Sequence, residues 1–414
     1  TQPGAIAWAD FDQDGDQDIV VAGRDRVATS PKNPPKTRLY ENTSSGFFEV
    51  GAGLVNVGTK DDFIASPTTF VKWGDFDQDG DPDLFIGGHN DRLPNKTYVS
   101  RIYENEGGGE FQEVGADLTP VANGAADWGD YDNDGDLDLI VTGRREGDDA
   151  AQTTLYRNDG AGEFTPVDAG LRDVWKSSVD WGDVDNDGRL DLVITGQTNN
   201  FNQSTTIYRN EGGGSFQSLQ TSVVDVGGQG AAEFGDYDED GDLDLAIAGN
   251  PSDSKRSGAI YQGDGTGTFT KLNVGILDVR GDATVEWGDM EGDGDLDLLV
   301  AGSDADGGSI KTVLYRNVGD TSFVDTGANL PDLRRVDADW GDTNGDGVLD
   351  LALLGLGNNG NDVTTIYRSD GDGSPVVASD LGVASELRDV DLTWTASPSE
   401  DGDVVGYNVY RDTA

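Results

Sequence analysis

An acidic nine-residue loop recurs seven times along this chain, and no other feature narrows the possible folds so far. The copies share one frame: an aromatic residue, Gly (Ala9 in the first), then Asp-x-Asp-x-Asp-Gly-x-x-Asp (Glu291 and Asn344 at its third position in the last two), then an apolar run ending in Gly. The copies start at Asp10, Asp75, Asp130, Asp183, Asp236, Asp289 and Asp342. From Asp130 onward the starts are 53 residues apart, and only the first two intervals, 65 and 55 residues, are longer. A fixed period of this size marks a stacked repeat, in which one supersecondary unit covers the apolar face of the next.

The third repeat shows what one unit encodes. Ala125-Ala126-Asp127-Trp128-Gly129 precedes the loop, Leu139-Ile140-Val141-Thr142-Gly143 follows it, and Thr153–Asn158 and Glu163–Val167 come after Asp/Gly clusters. These are four short apolar or β-branched runs separated by turn residues, hence four strands, and none carries a helical period. Four-stranded antiparallel units at this spacing predict an all-β, seven-bladed β-propeller. The blades fall at about 4–57, 68–121, 123–174, 176–227, 229–280, 282–333 and 335–383, giving a propeller over 1–383 and a remainder, 384–414. The 35% hydrophobic content and 34 aromatic residues support a packed core rather than a disordered acidic chain.

The aromatic of the frame is Trp8, Trp73, Trp128, Trp181, Phe234, Trp287 or Trp340. Sheets that radiate from an axis need large side chains between them, so these residues are expected to form the packing between blades. A second regularity concerns charge. Lys72 before its aromatic accompanies Glu104 after the third-strand Tyr, whereas Asp127, Asp180, Glu286 and Asp339 accompany Arg157, Arg209, Arg316 and Arg368. Repeats one and five carry only half such a pair, with Ala7 and Gln262; elsewhere the pattern predicts an ion pair from first strand to third.

The loops carry the chemistry. Calcium takes six to eight oxygen ligands, and alternating Asp in a tight turn directs several carboxylates at one centre. Positions 1, 3 and 5 supply side chains: Asp10, Asp12, Asp14; Asp75, Asp77, Asp79; Asp130, Asp132, Asp134; Asp183, Asp185, Asp187; Asp236, Asp238, Asp240; Asp289, Glu291, Asp293; and Asp342, Asn344, Asp346. Position 7 supplies a backbone carbonyl, from Asp16, Asp81, Asp136, Arg189, Asp242, Asp295 and Val348; a side-chain ligand would not tolerate Val there. Position 9 closes the site with Asp18, Asp83, Asp138, Asp191, Asp244, Asp297 or Asp350. Glu291 and Asn344 at position 3 predict weaker binding in the last two loops. About seven calcium ions, one per blade, are expected. The missing flanking helices and position-12 Glu separate these loops from EF-hands, and the lack of soft ligands argues against zinc or copper.

On these seven copies the chain resembles the FG-GAP or VCBS repeats of integrin-α-like seven-bladed propellers, over residues 4 to about 380. The resemblance implies a calcium loop between first and second strands on one face of the disc, and ligand contacts on the opposite face. The family's Phe-Gly and Gly-Ala-Pro signatures appear here as Trp-Gly and as Thr-Gly or Ala-Gly, closer to bacterial VCBS-type proteins than to integrins. Beyond the repeats, Val390–Trp394 and Gly406–Arg411 resemble the opening strands of a fibronectin type III domain. This implies either a longer multidomain chain or a short hairpin packed on the propeller.

The net charge is −51, and seven divalent ions would leave it at −37, so the surface is acidic apart from any metal. Only 9 of 28 basic residues are Lys, as in proteins of salty environments or in acidic extracellular proteins generally. Neither nucleic acid nor an anionic membrane fits such a charge, and no apolar run is long enough to span a bilayer. Zero Cys excludes disulfide and thiol chemistry. The sequence opens on Thr1-Gln2-Pro3 without Met or an apolar run, which fits a processed or a trimmed chain and leaves any signal peptide out of view. Calcium sites predict a secreted or cell-surface location, where calcium is plentiful.

Ligand candidates lie in loops that differ between blades. Arg24 and Arg26 sit in the lengthened second-to-third-strand connection of blade 1, and His89, Arg92 and Tyr98 in or beside that of blade 2. Trp175 and Phe201 offer aromatic faces for a sugar; the alternative for Trp175 is an aromatic plugging the disc. Two function classes result: a non-catalytic adhesion, recognition or scaffold module for polysaccharide or protein, with no catalytic residue, or a lyase-like, polysaccharide-active enzyme. Lyase chemistry needs a general base, for which His89 and Tyr98 are the candidates.

Overall fold

The computed structural model describes residues 4–24, 35–43, 46–58, 69–90, 97–160, 162–251, 257–304, 309–319, 321–358, 362–369, 382–383 and 392–393. Each repeat folds as an antiparallel meander whose first strand lies innermost. Blade 3, for example, is Ala126–Gly129, Asp138–Arg145, Ala151–Asn158 and Phe164–Val167, hydrogen-bonded in that order. Seven such units form the seven-bladed propeller that the repeat predicts. Blade 7 has three described strands, Leu333–Gly341, Asp350–Gly357 and Asp362–Tyr367. Gly382–Val383 pairs with Leu392–Thr393; the rest of the fibronectin-like segment lies outside the described residues.

Register explains the recurring residues. In blade 3, Trp128 stands opposite Leu139 and Leu139 opposite Tyr156, so one face of the sheet carries an aromatic–aliphatic–aromatic row. The same row recurs in blade 4 as Trp181, Leu192 and Tyr208, and in blade 6 as Trp287, Leu298 and Tyr315. Strand alternation puts the whole row on one face, where the neighbouring blade buries it.

The Gly after the aromatic, present in blades 2 to 7, is fixed by the next blade. A Cβ at Gly129 would lie 2.9 Å from the Trp181 ring, one at Gly74 2.7 Å from Trp128, and one at Gly288 2.7 Å from Trp340. Several indoles also donate to a carbonyl of the preceding blade, as Trp128 Nε1 does to Lys72 O at 3.3 Å. The expected inter-blade role of these aromatics holds.

Among the described residues no strand is exchanged where the ring closes: Ala5–Ala9 is the inner strand of blade 1 and pairs with no strand of blade 7. Side chains make the seam. Trp8 fills the space beside Gly341, its amide donates to Asp339 Oδ2 at 2.8 Å, and Asn42 Nδ2 donates to Thr343 O at 2.8 Å.

The ion pair expected from first strand to third does not form. Lys72 stands opposite Phe85, and Phe85 opposite Ile102, so Glu104 lies two residues further along the third strand, out of reach. The residue before the aromatic faces the central channel, and Lys72 instead meets Asp127 of the next blade at 3.7 Å. The residue after the third-strand Tyr faces position 3 of its own loop: Gln262 Nε2 donates to Asp238 at 2.7 Å, Arg316 lies 3.3 Å from Glu291, and Arg209 3.8 Å from Asp185.

Candidate metal centre and the opposite face

The acidic loops join first to second strands at one end of the blades. In each, Gly at position 6 adopts a left-handed backbone, φ +97° at Gly15 and +101° at Gly135, which turns the chain back on itself. In every loop but that of blade 2, position 1 accepts at least two backbone amides of its own loop: Asp10 Oδ1 from Asp14 and Oδ2 from Gly15, both at 3.0 Å. Position 5 accepts the amide of position 7, as in Asp16 N to Asp14 Oδ1 at 3.0 Å. This is an Asx-turn lattice that holds the carboxylates in place before any ligand arrives.

Five loops gather carboxylates from positions 1, 3 and 9, with one oxygen of each within 4.8 Å of the others: Asp10, Asp12, Asp18; Asp75, Asp77, Asp83; Asp130, Asp132, Asp138; Asp183, Asp185, Asp191; and Asp236, Asp238, Asp244. Position 5 lies outside these clusters. Among the described residues no such cluster forms in blades 6 and 7, where position 3 is Glu291 or Asn344.

The donor set suits a hard divalent cation. All donors are oxygens, and Asp75 Oδ1, Asp132 Oδ1 and Asp185 Oδ1 are buried without a hydrogen-bond partner, a cost that a metal ligand bond removes. Burial, followed by neighbouring carboxylates, raises the position-3 acids Asp12, Asp77, Asp132, Asp185 and Asp238 above the usual range. The fully buried position-9 acids are pushed up to about 7 at Asp18, Asp83, Asp138 and Asp244, mainly by burial. Crowded carboxylates that resist ionising together are poised to take a cation in place of protons.

Position 9 has a second structural task that spacing alone did not reveal. Asp83 Oδ2 accepts the Phe76 amide at 3.0 Å and Oδ1 the Asn105 amide at 2.8 Å, tying the loop to the third strand. Asn105 Nδ2 in turn donates to Phe11 O of the preceding blade at 2.7 Å. Asn158, Asn210 and Asn317 repeat this bond to Phe76, Tyr131 and Tyr237. The signal was present in the sequence as a Tyr-x-Asn recurring at the end of third strands.

The axial channel, about 270 Å3 of water-sized space, is lined by first strands. Its carboxylates accept inner-strand amides of the next blade, which would otherwise be an unpaired sheet edge: Asp180 from Phe234 at 2.7 Å, Glu233 from Trp287 at 3.0 Å, and Asp337 from Ile6 at 2.7 Å. The charged groups lining this channel are Lys72, Asp180, Glu233, Glu286, Asp337 and Asp339, with Lys176 and Arg335 also in the wall, and Asp127 reaches Lys72. Burial pushes Asp180 and Asp337 up to about 7, Asp339 to about 6, and Glu233 and Glu286 well above their usual value.

Between about pH 4 and pH 7 these carboxyls keep protons in the folded state that the unfolded chain has lost. The folded state therefore binds more protons, and stability falls as pH rises across that interval. Melting curves in EDTA, where protons do not compete with metal at the loops, are expected to show a melting temperature several degrees lower at pH 7.5 than at pH 5. A rise over the same interval would contradict this assignment.

The opposite ends of the strands hold the other candidates. Trp175 is buried, 8% exposed, with the Arg144 guanidinium 3.6 Å from its ring centroid and Lys176 Nζ at 4.8 Å. It is therefore not the open stacking platform the sequence suggested, because cations occupy its faces. Phe201 meets it edge-on at 6.3 Å and is 64% exposed. Arg144 also approaches Asp149 at 3.6 Å, and Asp149 accepts the Tyr98 hydroxyl at 2.7 Å. His89, buried, lies tilted against Tyr98, with ring centroids 5.3 Å apart. Burial first and Asp149 second raise the Tyr98 phenol. One contact chain thus joins His89, Tyr98, Arg144, Trp175 and Phe201 across blades 2 to 4. Arg26 and Arg92 lie outside the described residues, as does the side chain of Arg24.

Comparison with known proteins bears on the fold and family. Residues 10–86, 75–141, 130–194, 185–247, 236–300 and 289–353 each match the FG-GAP-like repeat. No curated protein matches. Among solved structures, AofleA from Arthrobotrys oligospora is 12% identical, with a TM-score of 0.41, covering 73% of this chain and 87% of that one. Aleuria aurantia lectin, in complex with alpha-methyl-L-fucoside, is 12% identical with a TM-score of 0.39, covering 73% and 92%. The Vibrio cholerae biofilm matrix protein Bap1 is 11% identical with a TM-score of 0.26, covering 97% and 82%. Six overlapping matches running from residue 10 to residue 353 place this chain in the FG-GAP-like repeat family.

Proposed function

We propose that this chain is a non-catalytic extracellular recognition module whose propeller is rigidified by calcium at the acidic loops. The observation that carries the reading is the set of five three-carboxylate clusters with buried, unpartnered oxygens among them. Such loops build the scaffold, and binding falls to the face at the other end of the strands. There Phe201 stands out of the surface with φ +62°, a backbone conformation that is costly for a bulky side chain. The hairpin holds it through Phe201 N to Thr198 O and Thr198 N to Asn202 O, each at 2.9 Å. An exposed, fixed aromatic beside the Arg144 and Lys176 cations suits a polysaccharide ligand, in particular one with carboxylate groups.

The test is a polysaccharide array probed in calcium. Phe201→Ala is expected to weaken binding of the recognised glycan by about tenfold, on the order of one aromatic contact. Binding unaffected by both Phe201→Ala and Arg144→Ala would move the ligand site elsewhere.

A further inference from the structure

Position 4 of each acidic loop is not a metal ligand, yet it adopts a left-handed backbone in all seven blades. The φ values are +59° at Gln13, +60° at Gln78, +58° at Asn133, +55° at Asn186, +55° at Glu239, +69° at Gly292 and +70° at Gly345. Gly suits that conformation best, and Asn tolerates it; Gln gains nothing locally from adopting it. Its side chain is engaged elsewhere.

Gln13 Nε2 donates to Gly80 O at 2.7 Å and Asp81 Oδ1 at 2.6 Å, which are positions 6 and 7 of the next loop. Gln78 repeats the pattern on Gly135 O and on Asp136 Oδ1, the latter at 2.9 Å. Asn133 Nδ2 donates to Gly188 O at 2.9 Å, and Asn186 Nδ2 to Asp242 Oδ1 at 2.6 Å. Four amide side chains therefore chain the loops of blades 1 to 5 in sequence. The chain then stops. Glu239 brings a carboxylate rather than an amide donor to the loop of blade 6, and Gly292 and Gly345 have no side chain to give. The five chained loops are the same five that form three-carboxylate clusters.

We infer that the amide side chains at position 4 couple metal binding between neighbouring loops, making blades 1 to 5 one cooperative array. This rests on the calcium reading of the loops. An ion that takes the position-7 carbonyl as a ligand fixes positions 5 to 7, since the position-7 amide is already bonded to the position-5 carboxylate, as in Asp81 N to Asp79 Oδ1 at 2.9 Å. The fixed carbonyl and carboxylate then hold the Gln or Asn of the preceding loop. That residue directly follows the ligand at position 3, so holding it sets in advance the backbone that the second ion needs. A site whose ordering cost has already been met binds more tightly, and the effect is reciprocal. In blades 6 and 7 nothing transmits it.

The experiment is calorimetric titration of the whole chain with calcium chloride, followed by Gln78→Gly. That variant keeps the backbone conformation found at Gly292 and Gly345 while removing the donor, so it does not disturb the fold of its own loop. The wild type is expected to take up five ions with a Hill slope above one, and the last two at higher concentration. Gln78→Gly is expected to split the array, lowering the slope and weakening the neighbouring sites by about fivefold, the lower end of usual coupling between sites. Gly292→Asn, which restores a donor toward Gly347, is expected to draw the blade 6 and 7 sites closer in affinity. An unchanged slope in Gln78→Gly with calcium still bound would overturn the coupling and leave the metal sites standing. No uptake of calcium by the wild type would overturn both.

Discussion

Stripping the protein with EDTA is expected to lower its melting temperature by more than about 10 °C at neutral pH, with readdition of calcium restoring it. An ion that binds only the folded state at 100 times its dissociation constant adds about 2.7 kcal/mol, and five clusters multiply that. The loss is severe because the metal-free loops keep strained residues and crowded acids. Asp18, Asp83, Asp138 and Asp244 lie fully buried among other carboxylates, and without a cation they ionise only at a cost in stability. Magnesium is expected to substitute poorly, because it demands a tighter and more regular oxygen shell than these loops offer. Differential scanning calorimetry with and without chelator checks both statements.

Trp8→Ala is expected to destabilise the calcium-loaded protein by about 3–5 kcal/mol, as for other large-to-Ala changes in a core. Trp8 is buried against Gly341, and its amide and indole both donate to Asp339. Every other pair of neighbouring blades is also joined by the chain, whereas among the described residues the hydrogen bonds seen between blades 1 and 7 all involve a side chain. Loss at this seam opens the ring, so urea unfolding of Trp8→Ala should lose its single transition before Trp287→Ala does. A change under 1 kcal/mol would mean that the seam is held by something other than this packing.

Much of the architecture was legible because one unit is written seven times. The Trp-Gly pair, the acidic loop and the Tyr each occupy a fixed place in one register, and repetition separates such positions from chance. Polar contacts between blades were the part that could not be read. Gln13 and Gly80 lie in different repeats, and the reason for Gln at position 4 exists only when two loops stand side by side. The charge pairing of Lys72 with Glu104 failed for the same reason: the partner of Lys72 is Asp127 in the next blade. Asn105 shows that a recurring residue can announce importance without announcing its role, since its bond to Phe11 O spans two blades. On the ligand face, where the blades differ, no repetition was available to separate Trp175, which is buried beneath Arg144, from Phe201, which is exposed.

The central claim is that the acidic loops hold metal, and the most direct measurement is the calcium content of the chain before it meets the chelator. Protein equilibrated with calcium, desalted and analysed by native mass spectrometry is expected to carry at least five ions, and Asp130→Ala is expected to carry fewer. A chain that carries none, or a count that Asp130→Ala leaves unchanged, would contradict the account.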